Sequence, residues 1–182
     1  SASRPELTLR FRVDAGANAS VFRQEGLRLH LHGDVPTATQ LYLWFANHVT
    51  AVTVRAEDGR SVELGSSAVK LVGLDDADPL FPWPSFSPQG LRLLLEYFAL
   101  PAKFLFIDVV GLDKAAHLGC TTFDLTFRFA RPPALPQRLA AGALRLHCVP
   151  AINLFDGEAT IKRETAKDHV TALHPGQAEV FE

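Results

Sequence analysis

Residues Gly90 to Leu112 read GLRLLLEYFALPAKFLFIDVVGL, a nearly unbroken apolar run with a proline set in its middle. Proline cannot continue a helix and disfavours the α conformation at the residue before it, so the stretch divides at Leu100-Pro101. Upstream, Ser87-Pro88 supplies a helix start: a hydroxyl able to cap free amides, then a proline that gives up no useful donor in the first turn. The spacing predicts a helix over about 88–98. In it Leu91, Leu94, Leu95 and Phe98 share a face, and Leu93 and Tyr97 widen that face until only Arg92 and Glu96 are clearly polar. A helix so apolar is expected to be covered round most of its circumference, which places Leu94, Leu95, Tyr97 and Phe98 in the core. Beyond Pro101, Phe104 to Val110 is apolar on both alternating faces apart from Asp108, the pattern of a central strand covered by a layer on each side. Phe104 and Phe106 therefore join the expected core.

Working outward, the clearest one-sided strand is Thr122 to Phe129. Phe123, Leu125, Phe127 and Phe129 alternate there with Thr122, Asp124, Thr126 and Arg128, so one face is buried and the other wet. Leu7 to Val13 and Leu27 to Leu31 alternate in the same way. Pro36 suits the first turn of a helix over about 37–47, whose inward face is Leu41, Trp44, Phe45 and His48. Val52 to Val54 and Val62 to Leu64 flank Glu57-Asp58-Gly59-Arg60, where Asp-Gly supplies the positive φ that a tight hairpin needs. Val69 to Val72 adds a strand, and Leu144, Leu146 and Cys148 alternate with Arg145 and His147, so Cys148 is expected in the core. Further strands are expected at 158–163, 168–173 and 177–181. The fold class is α+β, mostly β, with sandwich-like antiparallel sheets and two short helices.

The chain has 182 residues, enough for one sizeable core, and its 47% hydrophobic content with 13 Phe supports a packed interior. We expect one β-rich domain over 1–182 with a candidate sub-boundary at the Pro-rich stretch near 131–142. The absence of Met, and an ending in AEVFE that still alternates like an unfinished strand, suggest excision from a longer polypeptide. A net charge of -2 without a Lys or Arg run argues against nucleic acid as a partner. Lys103, Asp108 and Asp113 interrupt the best apolar stretch well short of the ~20 residues that span a bilayer, so membrane insertion is not expected. Cys120 and Cys148 lack paired spacing and read as free thiols of a reducing compartment, the cytoplasm.

Chemistry-bearing patterns are sparse. His30, His32 and Asp34 project from one side of a strand and could share a metal, but no second ligand cluster accompanies them, and neither a metal nor a cofactor is expected. The acids Asp75, Asp76 and Asp78 precede a proline and read as a solvated loop. Glu96 is one turn from Arg92, a spacing that gives a surface or interface ion pair more often than an acid-base catalyst. None of the common hydrolase, nucleotide-binding or zinc-protease motifs occurs, so no catalytic residue is assigned and the chain is read as a non-enzyme. Candidate interface residues lie instead in two apolar turns. Trp83 and Phe86 sit on a Pro-stiffened loop, where large rings lose little entropy on docking, although the same loop could tuck over the core. Asn153, Leu154 and Phe155 follow Pro150, and their apolar pair either closes the core or inserts into a neighbour.

Glu96-Tyr97-Phe98, Pro101, Lys103-Phe104 and Phe106, followed by Cys148, Pro150 and Ile152-Asn153-Leu154-Phe155, resemble the EYF-x-x-P-x-KF-x-F and C-x-P-x-INLF segments of the TssF family of type VI secretion baseplate proteins, also called VasA or ImpG. Leu80-Phe81-Pro82 and Ala178 to Phe181 resemble further stretches of that family in the same order. Ala102 departs from the usual Glu, and Glu158-Ala159-Thr160-Ile161 from the usual E-P-I, as in a divergent member. The resemblance implies a structural wedge subunit of a contractile, phage-tail-like injection machine. Its implied partners are TssG, a second TssF copy, TssK and TssE, with the VgrG spike and the sheath reached indirectly. The implied location is cytoplasmic, at the membrane-docked apparatus of a Gram-negative bacterium. The reading from another class is a stand-alone β-sandwich module binding a glycan or small ligand through exposed histidines and Trp83.

Overall fold

A computed structural model describes residues 5–13, 26–75, 78–84, 86, 88–132, 139–153, 159–164 and 167–172. By their contacts they form two compact units, 1–150 and 151–182.

The first unit is organised around β7 (Thr122–Phe129), the strand whose sequence alternates most strictly. It lies inside an antiparallel sheet of order β1-β7-β3-β4, with β1 at Glu6–Arg12, β3 at Val49–Ala56 and β4 at Ser61–Glu63. Its four large apolar side chains are fully buried, Phe123 and Phe127 among them. The outward residues knit the sheet's wet face: Arg10 donates to both carboxylate oxygens of Asp124 at 2.7 and 2.8 Å, and Thr8 and Thr126 share a hydrogen bond of 3.0 Å. The period-2 pattern thus sets register and face together. Gly59, with φ +88°, turns the β3–β4 hairpin, helped by the Arg60 amide donating to Asp58 Oδ1 at 2.9 Å.

A second antiparallel sheet has the order β5-β6-β2-β8, from Val69–Val72, Phe106–Val109, Leu27–Leu31 and Leu144–Arg145. Leu29, Leu31, Ile107 and Val109 meet Val52, Val54 and the β7 side chains in one core, which makes the pair of sheets a sandwich. Phe106, on the other face of β6, is buried as well, so β6 is covered on both sides. Helix α1 (Val35–His48) closes one end of the sandwich with Ala38, Leu41, Trp44 and Phe45. The Trp44 ring stacks on Phe129 with centroids 3.5 Å apart while its Nε1 donates to the Arg131 carbonyl at 3.0 Å, so the indole's polar edge is satisfied. The second unit contains a hairpin of β9 (Ala159–Glu164) and β10 (Lys167–Ala172). The strand expected at 177–181 lies outside the described residues.

Cys148 is a correction. The strand through Leu144 stops after Arg145, because His147 takes a left-handed conformation at φ 58° that an extended ladder cannot continue. The side chain therefore stays out of the core: Cys148 is partly exposed and its thiol donates to the Leu146 carbonyl at 3.5 Å.

Candidate assembly surface

Helix α2 (Gln89–Ala99) begins after Pro88 and ends before Pro101, but its faces are the reverse of those expected. The two polar residues are buried, Glu96 completely and Arg92 almost so, whereas Leu91, Leu94, Leu95, Tyr97 and Phe98 are all exposed, Leu94 by 52% and Phe98 by 74%. Leu94, Leu95, Tyr97 and Phe98 are thus surface residues, and the helix is not internal.

The cause is a polar node beneath the helix. Lys103, on the 3₁₀ turn Pro101–Phe104, is 2% exposed and its ammonium donates to Glu96 Oε2. The other carboxylate oxygen accepts the Leu80 amide at 2.7 Å, and Arg92 donates to the Asp75 carbonyl at 3.3 Å. Glu96 therefore pairs with Lys103, not with Arg92 on the surface. Burial opposes the charge on Glu96, but the Lys103 hydrogen bond, the Leu80 amide and the positive charges of Lys103 and Arg92 outweigh it and hold the carboxyl below its ordinary range. Gly73 makes the close approach possible: at φ +100°, an added Cβ would lie 2.9 Å from the Lys103 carbonyl oxygen.

Magnitudes show what the node has to offset. A large apolar side chain contributes about 1.5–3 kcal/mol when fully buried, so five left about half exposed forgo on the order of 5 kcal/mol. Removing one partner of a buried ion pair costs about 3–5 kcal/mol. Stranding the Leu80 amide adds about 1–3 kcal/mol. These are the costs of removing one partner, not the net worth of the intact contacts, and they are comparable with the burial that the helix forgoes.

Beside the exposed face runs an open groove of about 850 Å³ between α1 and α2. Val35, Tyr42 and Leu43 form one wall, Leu94 and Tyr97 the other, and His30 and His32 reach it from β2. Among the described residues no carboxylate, ammonium or guanidinium lines it. Phe104 is only half-buried, its ring 6.0 Å from Tyr97 and 5.4 Å from the Lys103 ammonium. Large exposed apolar patches on a folded chain mark contact surfaces.

A family model described as "Type VI secretion system, TssF" matches residues 1–181. The chain belongs to the TssF family. It is 39% identical over 153 residues to the type VI secretion system component TssF1 of Pseudomonas aeruginosa, covering 82% of this chain and 25% of that protein. A chain in the cryo-electron microscopy structure of a TssK-TssF-TssG baseplate subcomplex shares its fold with a TM-score of 0.72 and 27% identity, over 90% of this chain and 31% of that one. The chain thus spans about a quarter to a third of the relatives it matches.

In this TssF-family chain the Glu and Lys of the EYF-x-x-P-x-KF segment form the ion pair of the node, its Pro opens the turn that carries Lys103, and its Tyr97 and Phe98 are the outward face. Of the loop residues, Phe86 is 89% exposed and Trp83 is half-buried. Asn153 is exposed in the second unit, and Leu154 and Phe155 lie outside the described residues. Further exposed apolar residues escaped the sequence reading, among them Val35 and Leu43 on α1, Leu74 and Val149. The imidazoles of His30 and His32 lie 5.8 Å apart, and the His30 pKa is lowered by burial first, then by His32 and Arg145. Among the described residues no three metal-binding side chains converge, and no helix is long and apolar enough to cross a membrane.

Proposed function

We propose that the protein is a structural subunit of the type VI secretion baseplate wedge, which assembles with TssG and TssK, helps hold the VgrG spike and nucleates the contractile sheath without chemistry on a substrate. The outward apolar face of α2 with its neighbouring groove carries this reading: on a sandwich whose core is otherwise well closed, it is a surface built to be covered. The subcomplex that contains the matched fold supports TssG and TssK as the subunits that cover it. A second TssF copy and TssE complete the proposed set of contacts, in the cytoplasm, at the membrane-docked apparatus of a Gram-negative cell. The loops at 79–88 and 150–157, with Trp83, Phe86, Asn153, Leu154 and Phe155, are proposed to lie at or near subunit contacts.

The groove's volume also suits a small ligand, but such sites need several convergent polar groups to fix orientation, and this one offers mainly two imidazoles and two tyrosines. A dense sandwich that transmits strain, joined to neighbours through repackable apolar contacts, suits a subunit that must shift when the sheath fires. Co-expression of the full-length protein with TssG and TssK, followed by size-exclusion chromatography, tests the proposal. Leu94→Asp with Phe98→Asp is expected to abolish co-migration and Trp83→Ala to weaken it. Undiminished co-migration of the double variant refutes the assignment of the surface.

A further inference from the structure

We infer that Glu96, Lys103 and Gly73 are positioning residues for assembly: the buried ion pair, seated against a glycine, pins the polar stripe of α2 inward and so presents Leu94, Tyr97 and Phe98 to a partner subunit. The inference rests on the reading of α2 as a docking face and goes beyond it, because none of these three residues belongs to the exposed surface.

An isolated amphipathic helix next to an apolar sandwich settles with its greasy side inward. This one does not, and among the described residues three polar contacts hold its charged stripe inward. Glu96 on α2 is joined to Lys103 across the Pro101 break, and to the backbone of Leu80 on the loop that leaves β5. One side chain therefore fixes the helix to the segment that precedes it and to the segment that follows it. Arg92, one turn earlier on the same stripe, ties the same loop at Asp75, so the helix is held at two points along its axis and cannot roll about either alone. Gly73 sets the depth of the arrangement, since any side chain there meets the Lys103 carbonyl and displaces the 3₁₀ turn that carries the ammonium. A packing role alone would be served by aliphatic side chains of the same volume, which bury at less cost than an ion pair. Charges that bond in specific directions define an orientation that non-directional apolar contacts leave open.

The test uses the full-length protein co-expressed with TssG and TssK. Lys103→Met keeps the aliphatic stem and deletes the ammonium, Lys103→Arg keeps the charge, and Leu94→Asp with Phe98→Asp is the surface reference. Two readouts are taken: recovery of TssG and TssK on the tagged subunit, and hydrogen exchange of the α2 and β7 amides. Lys103→Met is expected to lower recovery at least tenfold and to speed α2 exchange at least tenfold while β7 stays protected. Lys103→Arg is expected to stay within threefold of the parent in both. Recovery by Lys103→Met within twofold of the parent, with the surface reference losing its partners, overturns the positioning role and leaves the docking face standing. If the surface reference keeps its partners, the docking face fails and this inference with it. Should Lys103→Met also expose β7, Gly73→Ala is read instead. A threefold or greater loss of recovery with β7 protected supports the inference. A smaller loss, or exposure of β7 in both variants, makes the node ordinary core and overturns it.

Discussion

Strand β7 and helix α2 are both crowded with large apolar side chains, yet one buries all of them and the other displays most of them. In β7 the inward Phe and Leu alternate with outward Thr, Asp and Arg, of which Asp124, Thr126 and Arg128 bond side chains across the strand pair, so pattern and environment agree. In α2 the two charged side chains, Arg92 and Glu96, are the buried ones, and five apolar side chains face out. Hydrophobic content therefore decides orientation only where polar groups have nowhere better to go than water. When a carboxylate has a buried ammonium and a backbone amide waiting for it, the helix turns over.

The contrast can be broken at either end. Glu96→Ala strands both Lys103 and the Leu80 amide, and should show the largest loss in chemical denaturation, about 3–5 kcal/mol for the unpaired charge with about 1–3 kcal/mol more for the amide. Phe127→Ala opens a cavity between the sheets and is expected to cost about 3–5 kcal/mol. Phe98→Ala, with an equally large ring removed from the exposed face, should fall within about 0.5 kcal/mol of the parent by the same measurement. A cost for Phe98→Ala near that of Phe127→Ala would erase the distinction between the two regions.

Acid sharpens the comparison further. The folded-state pKa of Glu96 lies below its unfolded value, so the pair's contribution is complete above about pH 4.3 and is lost as pH falls through the lowered folded value. Hydrogen exchange over a descending pH series, corrected for intrinsic rates, should show α2 losing protection while the centre of β7 keeps it. Loss of both together would mean that the node and the core unfold as one.

Much of this was readable from residue order. Alternation located β7 and its buried face, Asp58-Gly59 located the hairpin turn, and Pro36 with Leu41, Trp44 and Phe45 located α1 and its inward side. The ends of α2 were equally legible, because Pro88 and Pro101 act on the local backbone. Its facing was not. Periodicity says which side chains share a face, and only a tertiary partner says which face turns inward; Lys103 lies seven residues on, past a proline break, where no helical spacing points to it. Cys148 was misplaced for a related reason, since nothing in the alternation of Leu144 to Cys148 announces that His147, a non-glycine residue, adopts positive φ.

The central proposal is that the apolar side of α2, exposed in this chain, stays exposed in the isolated subunit and is covered on assembly. Hydroxyl-radical footprinting of the full-length protein, alone and in complex with TssG and TssK, reads this at Leu94, Tyr97 and Phe98 against Phe127 as the buried reference. The account predicts strong modification of the three α2 residues in the isolated subunit, protection of all three in the complex, and an unmodified Phe127 in both. Modification of Leu94 and Phe98 in the isolated subunit no greater than that of Phe127 would contradict it.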